Sequence, residues 1–188
     1  MRRLRAECSW KREQTHRSLA RYLVEETYET IDAIDEGELC GDWSHLAEEL
    51  GDVLLQVVFH AVIAEERGDF DLDDVAAGIT AKMRRRNPHV FGPDADAAHL
   101  DAEAVNDLWQ QVKASERVGP VDEGLPSGLP ALLYADKMLD RLERAGGPPP
   151  IDAAASDVGE RMLALVAEAR AGGIDPEQAL RDVVGRLL

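Results

Sequence analysis

The stretch from Val53 to Ala64 constrains the fold most, because it is apolar around most of a helical circumference. Val53-Leu54-Leu55 and Val57-Val58-Phe59 dominate it, and Gln56 and His60 are its only polar side chains. At about 12 residues it falls short of the roughly 20 needed to cross a bilayer, so no membrane span is expected and the run must be buried in a folded domain. Such a helix is central, and the rest of the chain has to cover it. It is entered through Glu49-Leu50-Gly51-Asp52. On a helix Glu49, Asp52 and Gln56 share a face with Val53, so these acids point at the core or border it.

A second acidic cluster precedes it. In Glu25-Glu26-Thr27-Tyr28-Glu29 the three glutamates lie three and four residues apart, within one broad helix face. Like charges at that spacing repel by only about 0.2–0.5 kcal/mol when exposed, whereas desolvating an unpaired carboxylate costs several kcal/mol. A divalent cation cancels both terms. Oxygen-only donors, with no cysteine and no regularly spaced histidine beside them, favour Mg²⁺ or Mn²⁺ over zinc.

The periodicity predicts an all-α chain. A first helix covers residues 15–36, with Leu19, Leu23, Thr27, Ile31 and Ile34 as its apolar stripe and Gly37 as its stop. A second covers 44–66, with Asp42 or Ser44 as N-cap and Gly68 as terminator. A third begins at Asp71, with Asp74 at the capping-box position and Leu72, Val75, Ile79 and Met83 as its core stripe, and ends at Asn87-Pro88. A fourth covers 102–117, with Val105, Leu108, Trp109 and Val112 on its apolar side. No alternating β-branched runs with hairpin turns are present, and four helices with short connections make a four-helix-bundle-like domain. The expected organisation is that domain over residues 1–118, a Gly/Pro-rich linker over 119–130, and a helical C-terminal extension over 131–188 with helices at 131–144, 153–171 and 176–188.

The extension contains an echo. Asp157-Val158-Gly159-Glu160 followed by an apolar run can be laid on Glu49-Leu50-Gly51-Asp52 and its run. Either this is the back half of a degenerate second repeat, or two amphipathic helices are alike by chance. On both readings the tail lacks a complete carboxylate set.

Charge narrows the partners. The chain has 188 residues, with 37 acids against 21 bases and a formal net charge of −16, which argues against polymeric nucleic acid. Its bases cluster once, at Lys82, Arg85 and Arg86 near a helix C-terminus. There they either complement the helix dipole or, beside a metal cluster, suit a phosphate chain. Trp109 and Lys113, four apart on one face, are either core packing or a flat ring for a base with an ammonium for a phosphate. Cys8 and Cys40 have no paired spacing, and the basic N-terminus leads into no apolar signal region, so a reducing cytoplasm is expected.

Taken together the motifs resemble a known family. Cys8-Ser9-Trp10, Glu13-Gln14-Thr15-His16, Glu25-Glu26-x-x-Glu29, Glu49-Leu50-Gly51-Asp52, Leu55-Gln56-Val57-Val58-Phe59-His60, Arg85-Arg86-Asn87-Pro88-His89-Val90-Phe91, Leu108-Trp109-Gln110-Gln111-Val112-Lys113 and Leu129-Pro130-Ala131-Leu132 follow in one register over residues 1–145. This order is similar to that of the MazG nucleoside triphosphate pyrophosphohydrolases. The resemblance implies an all-α, homodimeric enzyme that cleaves nucleoside triphosphates to monophosphate and pyrophosphate with Mg²⁺ as cofactor. It implies Glu26, Glu29, Glu49 and Asp52 as metal ligands and Glu25 as the group that orients or deprotonates a water. Lys82, Arg85, Arg86 and Lys113 would contact phosphates, and Trp109 the base or sugar. The chain departs from the usual pattern at Ser9 and Lys11, where relatives carry Pro and Asp. Full-length relatives commonly carry two repeats; if the C-terminal echo is one, the second is truncated here.

Two other readings remain to be weighed. One is a catalytically weak or inactive nucleotide-binding regulatory scaffold. The other, a di-iron bundle, expects Glu-x-x-His pairs, and the chain offers Glu49-x-x-Asp52 with His45 and His60 at the wrong offsets.

Overall fold

The computed structural model describes residues 1–92, 100–116, 119–148 and 150–187. Every regular element among them is helical, as the periodicity requires, and they fall into two compact units, Met1–Val112 and Lys113–Leu188.

The first unit is built on two long helices, α3 (His16–Cys40) and α4 (Ser44–Glu65). α3 starts where Thr15 and Ser18 close a reciprocal capping box, the Thr15 hydroxyl accepting from the Ser18 amide and the Ser18 hydroxyl from the Thr15 amide. It does not stop at Gly37. The helix continues to Cys40 and ends at Gly41, whose left-handed φ of 76° only glycine adopts without strain. Gly37 is instead a contact residue: a Cβ there would lie 2.6 Å from the Trp43 ring, so its missing side chain lets the turn fold back tightly. The N-cap of α4 is Trp43, which makes no side-chain cap, rather than the expected Asp42 or Ser44; Asp42, one residue earlier, accepts from the Ser44 amide at 2.9 Å, and Gly68, at φ 74°, terminates the turn beyond the helix.

The buried stripe of α3 is rotated from the expected one. Leu19, Ala33 and Gly37 are buried and Tyr22, Glu26 and Thr30 half-buried, while Leu23 and Ile34 are exposed. Small residues near the turn admit α4 closely, and Glu26 stands inside the helix–helix seam. On α4 the buried residues are Gln56, Phe59, Ala61, Val62, Ile63 and Ala64, and Leu19, Phe59 and Ile63 form one cluster with Met1 and Tyr22 against it.

Two short helices that the periodicity did not reveal, α1 (Arg2–Glu7) and α2 (Ser9–Glu13), close the far end of α4. Helices of this length are not stable alone. They are fixed by Arg5, buried to 7 % exposure, whose guanidinium forks onto both Glu66 oxygens at 2.6 Å and donates to the Lys11 and Gln14 carbonyls. Arg2 pairs with Glu65 at 2.7 Å. The Arg5 and Lys11 cations also lie over the Phe59 ring, at 5.8 and 5.6 Å. Lys11 also stacks its cation over the Trp10 ring, at 5.3 Å.

α5 (Leu72–Arg86) packs on α4 and opens with the Asp71–Asp74 capping box, as its sequence requires. Its expected core stripe is not buried: Leu72, Val75, Ile79 and Met83 are all exposed. The one-turn α6 (Pro88–Phe91) follows, then α7 (Ala102–Ser115), whose expected apolar residues Val105, Leu108, Trp109 and Val112 are half-buried.

The second unit contains α8 (Ala131–Arg144), α9 (Val158–Ala171) and α10 (Pro176–Gly185). The helix expected from residue 153 begins only at Val158, because Asp157 caps it by accepting from the Glu160 amide at 3.0 Å. α7 ends at Ser115 and α10 at Gly185, short of the expected ends Arg117 and Leu188, which themselves lie outside the described residues. Arg170 on α9 ties the unit together, reaching Asp136, Asp140 and Glu143 of α8 at 3.2, 2.7 and 3.0 Å. Despite its burial, the Arg170 and Arg144 hydrogen bonds hold the Asp140 carboxyl below the ordinary range. Between α8 and α9 an apolar cavity of about 260 Å³ is lined by Tyr134, Met138, Leu142, Ile151 and Leu163.

Candidate metal centre

The antiparallel packing of α3 and α4 brings three acids together. Glu26 from α3 meets Glu49 and Asp52, one turn apart on α4, and one carboxylate oxygen from each lies within 4.8 Å of the others. Glu49 is the most enclosed, its side chain 12 % exposed. Glu26 bears the electrostatic cost. Burial, and then the neighbouring charges of Asp52 and Glu29, push its carboxyl above the ordinary glutamate range.

Gln56, one turn beyond Asp52 and only 4 % exposed, donates from Nε2 to Glu26 Oε1 at 3.4 Å. Its own Oε1 is buried and has no hydrogen-bond partner. Three mutually repelling oxygens beside an orphaned buried acceptor fit a hydrated divalent ion, whose charge satisfies the carboxylates and whose water supplies a donor. Among the described residues, no other group of three or more acidic, histidine or cysteine side chains converges in this way.

The remaining candidates are arranged less tightly. Glu29 is exposed one turn along α3, near enough to raise the Glu26 pKa but outside the convergent three. Glu25 is also exposed and lies 3.7 Å from Arg21 Nη2. On α5, Lys82 and Arg86 are half-buried and Arg85 is exposed. The Arg86 guanidinium sits 5.1 Å over the Trp109 ring, joining the basic cluster to α7. Lys113 follows Trp109 by one turn, half-buried, and belongs to the second unit.

Sequence reading missed His45. Its Nδ1 lies 2.8 Å from Glu36 Oε2 and its Nε2 3.1 Å from Glu49 Oε1. Both contacts are hydrogen bonds at once only when both ring nitrogens carry protons, and the Glu36 bond, with help from Glu49, raises the imidazole pKa accordingly. The His45–Glu49 spacing of four residues was available in the sequence. The Glu36 contact, across the α3–α4 turn, was not. His16 and His60 form a second pair, their rings stacked with Nδ1 atoms 2.8 Å apart, and burial followed by His16 pushes the His60 pKa down.

A helical hairpin that presents converging carboxylates from both arms defines a class: an all-α protein with an acidic cluster able to hold a divalent cation. Comparison with known proteins makes the assignment specific. Residues 14–91, from just before α3 to the end of α6, match the model of the MazG nucleotide pyrophosphohydrolase domain. The chain is 38 % identical over 190 residues to a nucleoside triphosphate pyrophosphohydrolase of Escherichia coli, covering 96 % of this chain and 68 % of that one. It is 37 % identical over 194 residues to the nucleoside triphosphate pyrophosphohydrolase/pyrophosphatase MazG of Thermotoga maritima, covering 93 % and 73 %. It is also 45 % identical over 185 residues to an uncharacterised 26.1 kDa protein of Streptomyces cacaoi, covering 96 % and 74 %. The chain belongs to the MazG family.

Proposed function

We propose that this chain is a Mg²⁺-dependent nucleoside triphosphate pyrophosphohydrolase, releasing nucleoside monophosphate and pyrophosphate and so sanitising or regulating the nucleotide pool. The observation that carries the reading is the convergence of Glu26, Glu49 and Asp52 within 4.8 Å on α3 and α4. Relatives covering most of the chain are named for this activity.

In this reading Glu26, Glu49 and Asp52 hold the cation, with Glu29 as a fourth oxygen donor at the exposed edge. A bound Mg²⁺ supplies positive charge to the phosphate oxygens and lowers the pKa of its water; Mn²⁺ substitutes. Glu25, released from Arg21, orients or deprotonates the attacking water. Lys82, Arg85 and Arg86 neutralise the phosphate chain, and Trp109 offers its ring to the base or sugar. Attack on a clamped phosphate needs positioning and charge rather than a covalent nucleophile, and these side chains supply both. The free thiols of Cys8 and Cys40 suit the reducing cytoplasm, and the apolar faces left exposed on α4 and α5 suit a homodimer.

Substituting Glu49 or Asp52 by Ala tests the reading. Pyrophosphate release should fall by more than about 100-fold in each, beyond what losing an outer partner of a metal site does, while far-ultraviolet circular dichroism stays helical. Undiminished release in both variants would refute it. Nucleotide binding without turnover in the unaltered chain, at any Mg²⁺ or Mn²⁺ concentration, would favour a regulatory scaffold instead.

A further inference from the structure

We infer that His45 is a positioning residue of the metal centre, holding the Glu49 carboxylate in its ligating orientation and being held in turn by Glu36. The inference rests on the reading of Glu26, Glu49 and Asp52 as cation ligands.

A glutamate has three side-chain torsions, so a glutamate ligand needs an outer partner to fix it; an aspartate, with two, needs one less. Glu26 has such a partner in Gln56. Glu49 has His45, one helical turn earlier on the same face of α4, with Nε2 3.1 Å from Oε1. The ring is itself fixed from the other side, since Nδ1 lies 2.8 Å from Glu36 Oε2 near the C-terminal end of α3. Glu36, His45 and Glu49 thus form one line of contacts that starts on one helix, crosses the turn and ends on a carboxylate of the convergent three.

Only one Glu49 oxygen is taken by the ring, leaving the other for a cation. The line thus orients Glu49 while leaving it free to ligate. Its outer members are surface groups, with side chains 46 % and 61 % exposed for His45 and Glu36, and removing them leaves the buried core of α3 and α4 untouched.

Mn²⁺ titration of the metal-stripped full chain, by calorimetry and by loss of the free-ion electron paramagnetic resonance signal, tests this. His45→Ala should weaken Mn²⁺ binding about 10- to 100-fold, Glu36→Ala several-fold, and His45→Gln, which keeps a donor at the same spacing, should recover most of the loss. The metal-free melting temperatures should change little. Unchanged affinity in both alanine variants would overturn the inference, and so would tighter binding in His45→Ala, since that would mark the ring as a cation competing with the metal. Should His45→Ala fail to fold, Glu36→Ala decides alone, because alanine at an exposed helical position does not endanger the fold. If the unaltered chain binds no Mn²⁺, the metal-centre reading falls with it; if it binds and the variants match it, the inference alone falls.

Discussion

Glu26 is the residue at which stability and function oppose each other. Its carboxyl is held above the ordinary range by burial and by the charges of Asp52 and Glu29, so without metal the folded chain takes up its proton more readily than the unfolded chain does. The stability contributed by that proton is fully present below the unfolded glutamate pKa of about 4.3 and is lost as pH rises through the raised folded value. Glu26→Gln should therefore melt at a higher temperature than the unaltered metal-free chain at pH 8. The same variant should lose more than about 100-fold in Mg²⁺ affinity, read by calorimetry. In the unaltered protein, Mg²⁺ affinity should begin to fall on acidification at a higher pH than an ordinary glutamate ligand would give. The identity of these acids was legible in the sequence because helical spacing and an apolar surround are both local patterns. Which of them converge was not, since Glu25, Glu26 and Glu29 share one broad face and only the crossing of α4 selects Glu26. His45 was set aside because its offset suits no di-iron motif, although its distance from Glu49 is that of an outer partner.

At the scale of the element, the α3–α4 hairpin sets the geometry of the site, and its turn is set by Gly37 and Trp43. A Cβ on Gly37 would stand 2.6 Å from the Trp43 ring. Gly37→Ala should therefore destabilise the fold by about 1–3 kcal/mol in denaturant unfolding, although alanine is the better helix former. Reading Gly37 as a stop followed from the frequency of glycine just past helix ends. The actual stop, Gly41, lies four residues on, and the reason for Gly37 is a ring six positions away that no helical periodicity points to. The rotation of the α3 stripe has the same origin. Leu23 and Ile34 are the obvious apolar positions, but the seam runs through Glu26, Thr30, Ala33 and Gly37, small and polar residues that owe their burial to the partner helix. The caps at Thr15 and Asp175 came from the structure, whereas the capping box at Asp71 was written in local sequence. So was the uninterrupted α8, because its ends coincide with Pro130 and the Gly-Gly-Pro break. The helices α1 and α2 were not, because five or six residues carry no period; Arg5, reaching Glu66, defines them.

For the whole molecule, the apolar residues that the chain leaves uncovered are the informative ones. Leu50 and Leu54 on α4 and Leu72, Val75, Ile79 and Met83 on α5 are exposed, Leu54 by 59 %. The sequence assigned Leu54 and the four residues of α5 to a core, and a second copy of the chain would supply the surface that buries them. Light scattering at micromolar concentration should give about twice the 20.6 kDa of one chain, and Leu54→Glu should shift it toward the monomer. A monomer for the unaltered chain would contradict the dimer. The C-terminal echo of the acid-x-Gly-acid pattern takes a different form in three dimensions. Asp157 caps α9, whereas Glu49 lies inside α4, so the matching letters occupy different structural positions. In the proposed function the acids of α3 and α4 direct cleavage of a triphosphate to monophosphate and pyrophosphate. The most direct test is hydrolysis of a panel of nucleoside triphosphates with Mg²⁺ present and absent, with the products identified. Nucleoside monophosphate and pyrophosphate are expected in equal amounts, only with the metal; nucleoside diphosphate and orthophosphate, or turnover indifferent to Mg²⁺, would contradict that role of the acids.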